Sequence, residues 1–431
     1  MRDRLRRRSD EPPIFVTSHC RFNLCAAKPV GFFKFGVIDC QDIIQRVRVA
    51  ADHQAGWERP GLTADVADPA DRDPGLFKHL ARDGFFYIGG KTTQIKGKTH
   101  IAGQMYVEYR IPAKQTHPYP IIFVHGGTRS GANWTGTSDG REGWAQYFAR
   151  RGYAVYVVDQ PGRGRSAYVP EVYGPPRFAN AESAQQRYLQ QSKYNLWPQA
   201  KLHNQWPGTG ELDDPASHQI IGSFLPEIAF PKSVAITHAA MVQLLDKIGP
   251  SIMLVHSQGG PMGWLAAEAR PDLVRAIVAV EPNGPPGRTV QFVGAPDWFK
   301  DGRVELPYGL TPLPITFAPA IKDPSEIKWV KEDKPDAADL VTCWKQEEPA
   351  RQLPNLQRMP IALITSEASY HAAYDHCIVK FLNQAGVKPT WIKLADLGIR
   401  GNSHNMMQEK NSDAIAEVIF RWLEKTLPSS R

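Results

Sequence analysis

The apolar run Ser251-Ile252-Met253-Leu254-Val255-His256 stops on Ser257, and Gln258-Gly259-Gly260 follows before a helical pattern resumes at Met262. The run is too short for a helix and long enough for one buried strand. With two glycines directly behind it, the strand must turn at once into a helix, with the serine on the turn. Such a turn exposes the serine hydroxyl above the sheet edge, beside the free N–H groups of a helix N-terminus. Small residues flank the serine because strand and helix approach closely there. Gly259 meets that need on one side, whereas Val255 stands where a small residue is usual on the other. The same residues also read as a buried strand ending in a serine cap, so the surroundings must decide.

Upstream, Pro120-Ile121-Ile122-Phe123-Val124 is a second short apolar run, closing in His125-Gly126-Gly127. A third, Tyr153-Ala154-Val155-Tyr156-Val157-Val158-Asp159, leads into Gln160-Pro161-Gly162-Arg163-Gly164-Arg165-Ser166. These strand-then-loop signatures, in this order, resemble the α/β-hydrolase superfamily. The resemblance implies an α/β-hydrolase fold: a mostly parallel central sheet flanked by helices, with lid or cap insertions. It also implies an oxyanion hole of two backbone N–H groups, one from the His-Gly loop and one from Gln258, after the serine. Gly127 is the expected first donor, since a residue without Cβ lets the backbone approach a substrate carbonyl.

A base and an acid should follow in the order serine, acid, histidine. Pro389 to Leu394 reads as a late strand and Ser412 to Lys425 as an amphipathic helix with Ile415, Val418, Ile419, Trp422 and Leu423 on one face. His404 falls in the loop between them, where this fold places its base. His371 and His376 compete, but they lie one strand too early. Two carboxylates are candidates for the acid. Glu281 ends the strand Val274–Val280, and Glu367 follows the strand Pro360–Thr365. Adjacent parallel strands are only about 4.8 Å apart, so either could reach a shared histidine. The residues alone leave both open.

The loops narrow the choice. Trp134-Thr135-Gly136-Thr137-Ser138-Asp139-Gly140-Arg141-Glu142-Gly143-Trp144, Val157 to Ser166, His256-Ser257-Gln258, Val280-Glu281-Pro282 and Glu367-Ala368-Ser369-Tyr370-His371 are similar to the esterase 713-like group of α/β-hydrolases. The likeness runs from about Gly84 to the C-terminus. It implies Ser257 as nucleophile, Glu281 as acid and His404 as base, with Glu367 in a structural hydrogen bond. The chemistry implied is a serine esterase cleaving carboxylic esters of small to medium apolar substrates through an acyl-enzyme, without cofactor or metal. Two alternatives use the same residues differently. One is acyl transfer, lactone opening or C–C hydrolysis in a small-molecule pathway; the other is a non-catalytic relative that binds a ligand in the old pocket.

Composition bears on the remaining expectations. At 431 residues and 42% hydrophobic content, the chain can bury one large core plus accessory segments. No apolar run approaches the ~18 residues of a membrane span. The formal charge of +7 is spread out, without the aromatic-interleaved patch of a nucleic-acid groove. The expected partner is a small-molecule ester, and the sequence does not speak to oligomeric state. Residues 1–83 read as a poorly ordered N-terminal extension, with a loose linker from Asp52 to Asp73, ahead of a hydrolase domain at 84–431. The basic start lacks the apolar segment of a secretory signal, though its arginines would suit a mitochondrial presequence. Five cysteines with no metal or disulfide spacing point to a reducing, cytoplasmic setting. The Asn133-Trp134-Thr135 sequon reads as unused. Two aromatic-rich insertions, 167–232 and 283–357, read as lids or binding loops.

Overall fold

The computed structural model describes residues 79–428. Most of the predicted extension, its linker, and Cys20, Cys25 and Cys40 lie outside the described residues. The first strand, β1 (Leu80–Ile95), starts ahead of Gly84, inside that extension, and pairs antiparallel with β2 (Lys98–Pro112). Much of β1 is exposed. Phe86 and Ile88 pack on the core, but Ala81, Arg82 and Asp83 at the start are exposed, so that start was not visible in the sequence.

The short apolar runs build the rest of the sheet: β3 (Ile121–Val124), β4 (Val155–Asp159), β5 (Ser251–Ser257), β6 (Val274–Pro282), β7 (Ile361–Thr365) and β8 (Thr390–Lys393). The order across the sheet is β1-β2-β4-β3-β5-β6-β7-β8, parallel from β4 to β8. Successive residues of the central strands enter opposite cores. Ile122, Val124, Met253 and Val255 pack with Met241 and Leu244 of α2 (Phe230–Ile248), Leu265 of α3 (Gly260–Ala269) and Phe381 of α4 (Asp375–Gln384). Ile121, Phe123, Ile252 and Leu254 face Phe148 of α1 (Trp144–Arg150) and Ile419 and Leu423 of α5 (Ser412–Thr426). Helices cover both faces, which is why these strands are apolar throughout instead of alternating.

The segment between β4 and α2 is a chain of short helical pieces. Ala181–Ala184 runs into a π-helical turn, Gln185–Leu189, and a longer helix spans Pro215–Gly222. They enclose a small core of Ala184, Leu189, Trp206, Ala216 and Ile220. Trp197 is buried and donates its indole N–H to the Ala368 carbonyl behind β7, so this aromatic anchors the segment to the sheet. The segment after β6 forms two antiparallel ribbons, Gly287–Gly294 with Trp298–Leu306 and Trp329–Lys331 with Trp344–Gln346. A disulfide between Cys343 and Cys377 ties it to α4. The sequence reading found no such pair, because one cysteine lies in an irregular segment and the other on a helix. No helix among the described residues is long and apolar enough to cross a membrane.

Candidate active site

Ser257 ends β5 with φ of 54°, in the left-handed region. Two other non-glycine residues at neighbouring strand tips share that region, Thr128 (φ 56°) beyond β3 and Glu281 (φ 41°) on β6. Left-handed backbone is costly for such residues and persists only where the surroundings impose it. Here close packing imposes it. A Cβ on Gly259 would lie 2.6 Å from the His125 carbonyl oxygen, and one on Gly126 would lie 2.8 Å from the Ser257 Cβ. The glycine requirement at the serine therefore falls on Gly126, one residue before the predicted donor. Val255 is accommodated by its partner across the turn. Its methyl groups stand 3.3 and 3.6 Å from where a Cβ on Gly263 of α3 would sit.

His404 and Glu281 meet behind the serine. His404 Nδ1 lies 2.6 Å from Glu281 Oε2, and both side chains are buried. Glu281 accepts further hydrogen bonds from Ser369 Oγ at 2.7 Å and from Ser366, through its N–H at 2.8 Å and its Oγ at 2.6 Å. Burial pushes the Glu281 carboxyl up; the nearby His371 and the Ser366 and Ser369 donors oppose that shift. Burial, with the positive fields of His371, Arg187 and Arg129, holds His404 well below the usual histidine range. With its Nδ1–H on Glu281, the neutral ring keeps its lone pair on Nε2, which is buried and has no hydrogen-bond partner among the described residues. His256 Nε2 donates to the His404 carbonyl at 3.0 Å, so the residue before the serine fixes the histidine loop beside it.

The other candidates are occupied. Glu367 accepts from Arg400 at 2.6 Å and from the Gly401 N–H at 2.9 Å, a loop staple distant in role from the histidine. His371 stacks flat on His404, ring centroids 4.5 Å apart and planes 2° off parallel. Its Nδ1 is held by Asp375 at 2.8 Å and its Nε2 by the Tyr374 hydroxyl at 2.9 Å, so it forms a wall and has no free nitrogen. His376 bonds the Val341 carbonyl, away from Ser257. Glu281, His371 and His404 could hold a metal by proximity, as could Cys343, His376 and Cys377. In the first set the facing atoms are already hydrogen-bonded, and in the second both sulfurs are in the disulfide. A surface cleft of about 250 Å³, lined in part by Val290, Trp298, Lys331 and Leu340, contains none of these residues.

A second group shapes the loop after β3, and the sequence reading gave it no role. The Gly126 carbonyl accepts from Arg163 at 2.8 Å and from His125 Nδ1 at 2.8 Å. Across a trans peptide, C=O and N–H point in opposite directions. Turning the Gly126 carbonyl toward Arg163 therefore turns the Gly127 N–H the other way. Arg163 is fully buried, donates to Gln258 Oε1 at 2.5 Å and pairs with Glu227 at 3.3 Å. Glu227, from the first insertion, also accepts the Thr128 N–H at 3.1 Å. The signal for Arg163 was its place in the Asp159–Ser166 turn; nothing local marked Glu227. Asn133 of the sequon is buried.

The known proteins agree with this architecture. A family model described as the α/β-hydrolase fold matches residues 119–309. A fungal protein named "Probable secreted lipase phiG", from Fungal sp. (strain ATCC 74256), is 39% identical over 344 residues, covering 79% of this chain and 89% of its own. The chain belongs to the α/β-hydrolase superfamily. Among solved structures, a novel bacterial esterase superposes with a TM-score of 0.53 at 23% identity, over 81% of this hydrolase and 96% of that chain. The expectation of a cytoplasmic protein is corrected by the same comparison, since the fungal relative is a secreted protein by name. The Cys343–Cys377 bond points the same way, because disulfides persist in oxidising compartments. An odd cysteine count without motif spacing was a poor guide to compartment.

Proposed function

We propose that this hydrolase is a serine esterase that cleaves carboxylic esters through an acyl-enzyme, with Ser257 as nucleophile, His404 as base and Glu281 as acid. The observation that carries the reading is the state of His404. Its Nδ1 is tied to a buried carboxylate, its Nε2 has no hydrogen-bond partner among the described residues, and Ser257 sits on a left-handed turn beside its loop. Ser257 gives its proton to His404 Nε2 as its oxygen attacks the ester carbonyl. Glu281 stabilises the imidazolium that forms. The Gly127 and Gln258 N–H groups receive the oxyanion; neither is hydrogen-bonded within the protein among the described residues. His404 returns the proton to the leaving alkoxide, then takes one from the water that releases the acid.

The lipase name of the fungal relative and the esterase neighbour support an ester bond as the target, and the words "probable secreted" in the relative's name support an exported enzyme. Ser257→Ala tests the assignment. The variant should stay folded by circular dichroism, lose labelling by a fluorophosphonate probe and lose ester turnover. Normal turnover by folded Ser257→Ala sinks the serine mechanism, and a wild-type protein that neither takes up the probe nor turns over an ester favours a binding protein over an esterase.

A further inference from the structure

The first insertion brings a cation to the catalytic base that the reaction scheme does not use. Arg187 lies on the π-helical turn Gln185–Leu189, a helix irregularity that often marks functional positions. Its neighbours Ala184, Gln185, Leu189 and Gln190 are buried, whereas Arg187 itself is exposed. The buried side of the turn thus fixes an exposed arginine whose guanidinium is itself partly desolvated. That guanidinium stands 5.6 Å from the centroid of the Tyr370 ring, and the Tyr370 ring is 4.8 Å from that of His404. Tyr188, the next residue, stacks toward His404 at 6.0 Å. One aromatic ring separates the cation from the base.

No carboxylate lies within ion-pair distance of Arg187 among the described residues. The carboxylates of this region are engaged elsewhere: Glu281 with His404 and the two serines, Glu227 with Arg163 and Arg177, Asp375 with His371 and Thr365. Arg129, the other cation here, is buried and bonds only the Ile220 carbonyl and the Ser223 hydroxyl, over the Phe224 ring. The approach to His404 therefore carries positive charge without an internal counter-ion. A guanidinium is a planar fork matched to a carboxylate.

We propose that Arg187 is an anion-recognition residue of the active site and that the preferred substrate is an ester bearing a free carboxylate. The inference rests on the serine-esterase reading and narrows it. The body of the substrate lies against Tyr188 and Tyr370, while its carboxylate, on the acyl or the alcohol part, meets Arg187. A recognition residue acts by binding, so removing it raises KM for the charged ester and leaves the neutral ester as the internal reference.

The test uses two matched pairs: mono-p-nitrophenyl glutarate against p-nitrophenyl butyrate, and 4-acetoxybenzoate against phenyl acetate. In at least one pair the wild-type enzyme should prefer the charged ester. Arg187→Gln should lower the charged-to-neutral ratio of kcat/KM at least tenfold, mainly through KM, with Arg187→Lys between the two. High salt should shrink the preference of the wild type, since salt screens a charge pair that is not fully buried. A ratio moved less than twofold in both pairs overturns the proposal. If the wild type cleaves none of the four esters and escapes the fluorophosphonate probe, the esterase reading has failed. Calorimetric titration of glutarate and 4-hydroxybenzoate into wild type and Arg187→Gln then still decides: at least tenfold weaker binding of one of them by the variant supports anion recognition, and equal binding of both ends it.

Discussion

Replacing Glu281 by glutamine keeps the shape of a wholly buried side chain and changes which atoms can accept a hydrogen bond. In the wild type, Oε1 takes the N–H and Oγ–H of Ser366, and Oε2 takes His404 Nδ1–H and Ser369 Oγ. An amide has one oxygen and one NH₂. The Ser366 backbone N–H can only donate, so it claims the oxygen and leaves the NH₂ facing His404. That NH₂ forces the lone pair of the ring onto Nδ1 and the proton onto Nε2, the nitrogen that must accept from Ser257. In the serine-protease triad the same carboxylate-to-amide change costs about 10⁴ in kcat, or about 5 kcal/mol of transition-state stabilisation. Glu281→Gln should lose turnover on that scale. Glu367→Gln is its control: it weakens a pair with Arg400, whose side chain is 65% exposed, and such pairs contribute about 0–1 kcal/mol. Turnover there should fall less than about tenfold. The assay is p-nitrophenyl ester hydrolysis for both variants, with folding checked by circular dichroism. Near-normal turnover by Glu281→Gln, or a larger loss at Glu367, would refute the tautomer argument and move the acid to β7.

Arg163→Gln should lower kcat by about 10²–10³, the usual effect of losing one oxyanion donor, because the Gly126–Gly127 peptide is then free to turn. A folded variant with kcat within threefold of wild type would leave Arg163 a purely structural role. His404 is held well below its ordinary 6.5, so the base stays neutral and competent into mildly acidic solution. The acid limb of kcat/KM should accordingly have its midpoint below pH 6.5, and a midpoint at 7 or above contradicts the burial argument. Stability should behave differently. Burial lowers His371 from 6.5 to about 4, so between those values the unfolded chain binds the extra proton. Its contribution is complete above pH 6.5 and fades toward pH 4, a loss of about 3 kcal/mol readable as a fall in the urea midpoint. The Cys343–Cys377 loop of sequence separation 34 corresponds to about 3–4 kcal/mol in the chain-entropy treatment. Reductant or Cys343→Ser should lower the melting temperature, and an unchanged melt would mean the bond is not formed in solution.

The parts of this site that sequence made legible are those encoded within one strand and its loop. Ser257 was readable because an apolar run, a serine and two glycines are contiguous, and the loop of His404 because a strand and an amphipathic helix bracket it. Glu281 and Glu367 were indistinguishable on residue physics, since both end strands beside one another. What separates them is a set of long-range partners: the Ser366 and Ser369 donors for one, Arg400 and Gly401 for the other. Arg163 with Glu227, the stacked His371 and the disulfide were hidden for the same reason. Each joins segments far apart in the chain, and no local pattern announces a partner supplied by a distant loop. The start of β1 was missed because Ala81, Arg82 and Asp83 are all exposed and carry no alternation.

The turn from Ser366 to Tyr374 serves two masters. Ser366 and Ser369 hold Glu281, while Tyr370 and His371 lie against the His404 ring. Anyone wishing to redesign the preferences of this enzyme should therefore leave that turn alone, since mutations chosen there for fit would also disturb Glu281 and His404, the acid and base of the proposed mechanism. Arg187, Tyr188 and Phe292, from the inserted segments, lie against Tyr370 or His404 without hydrogen-bonding Glu281 or His404. A combinatorial library confined to those three positions would explore new substrates with the Glu281–His404 hydrogen bond and its serine donors left in place.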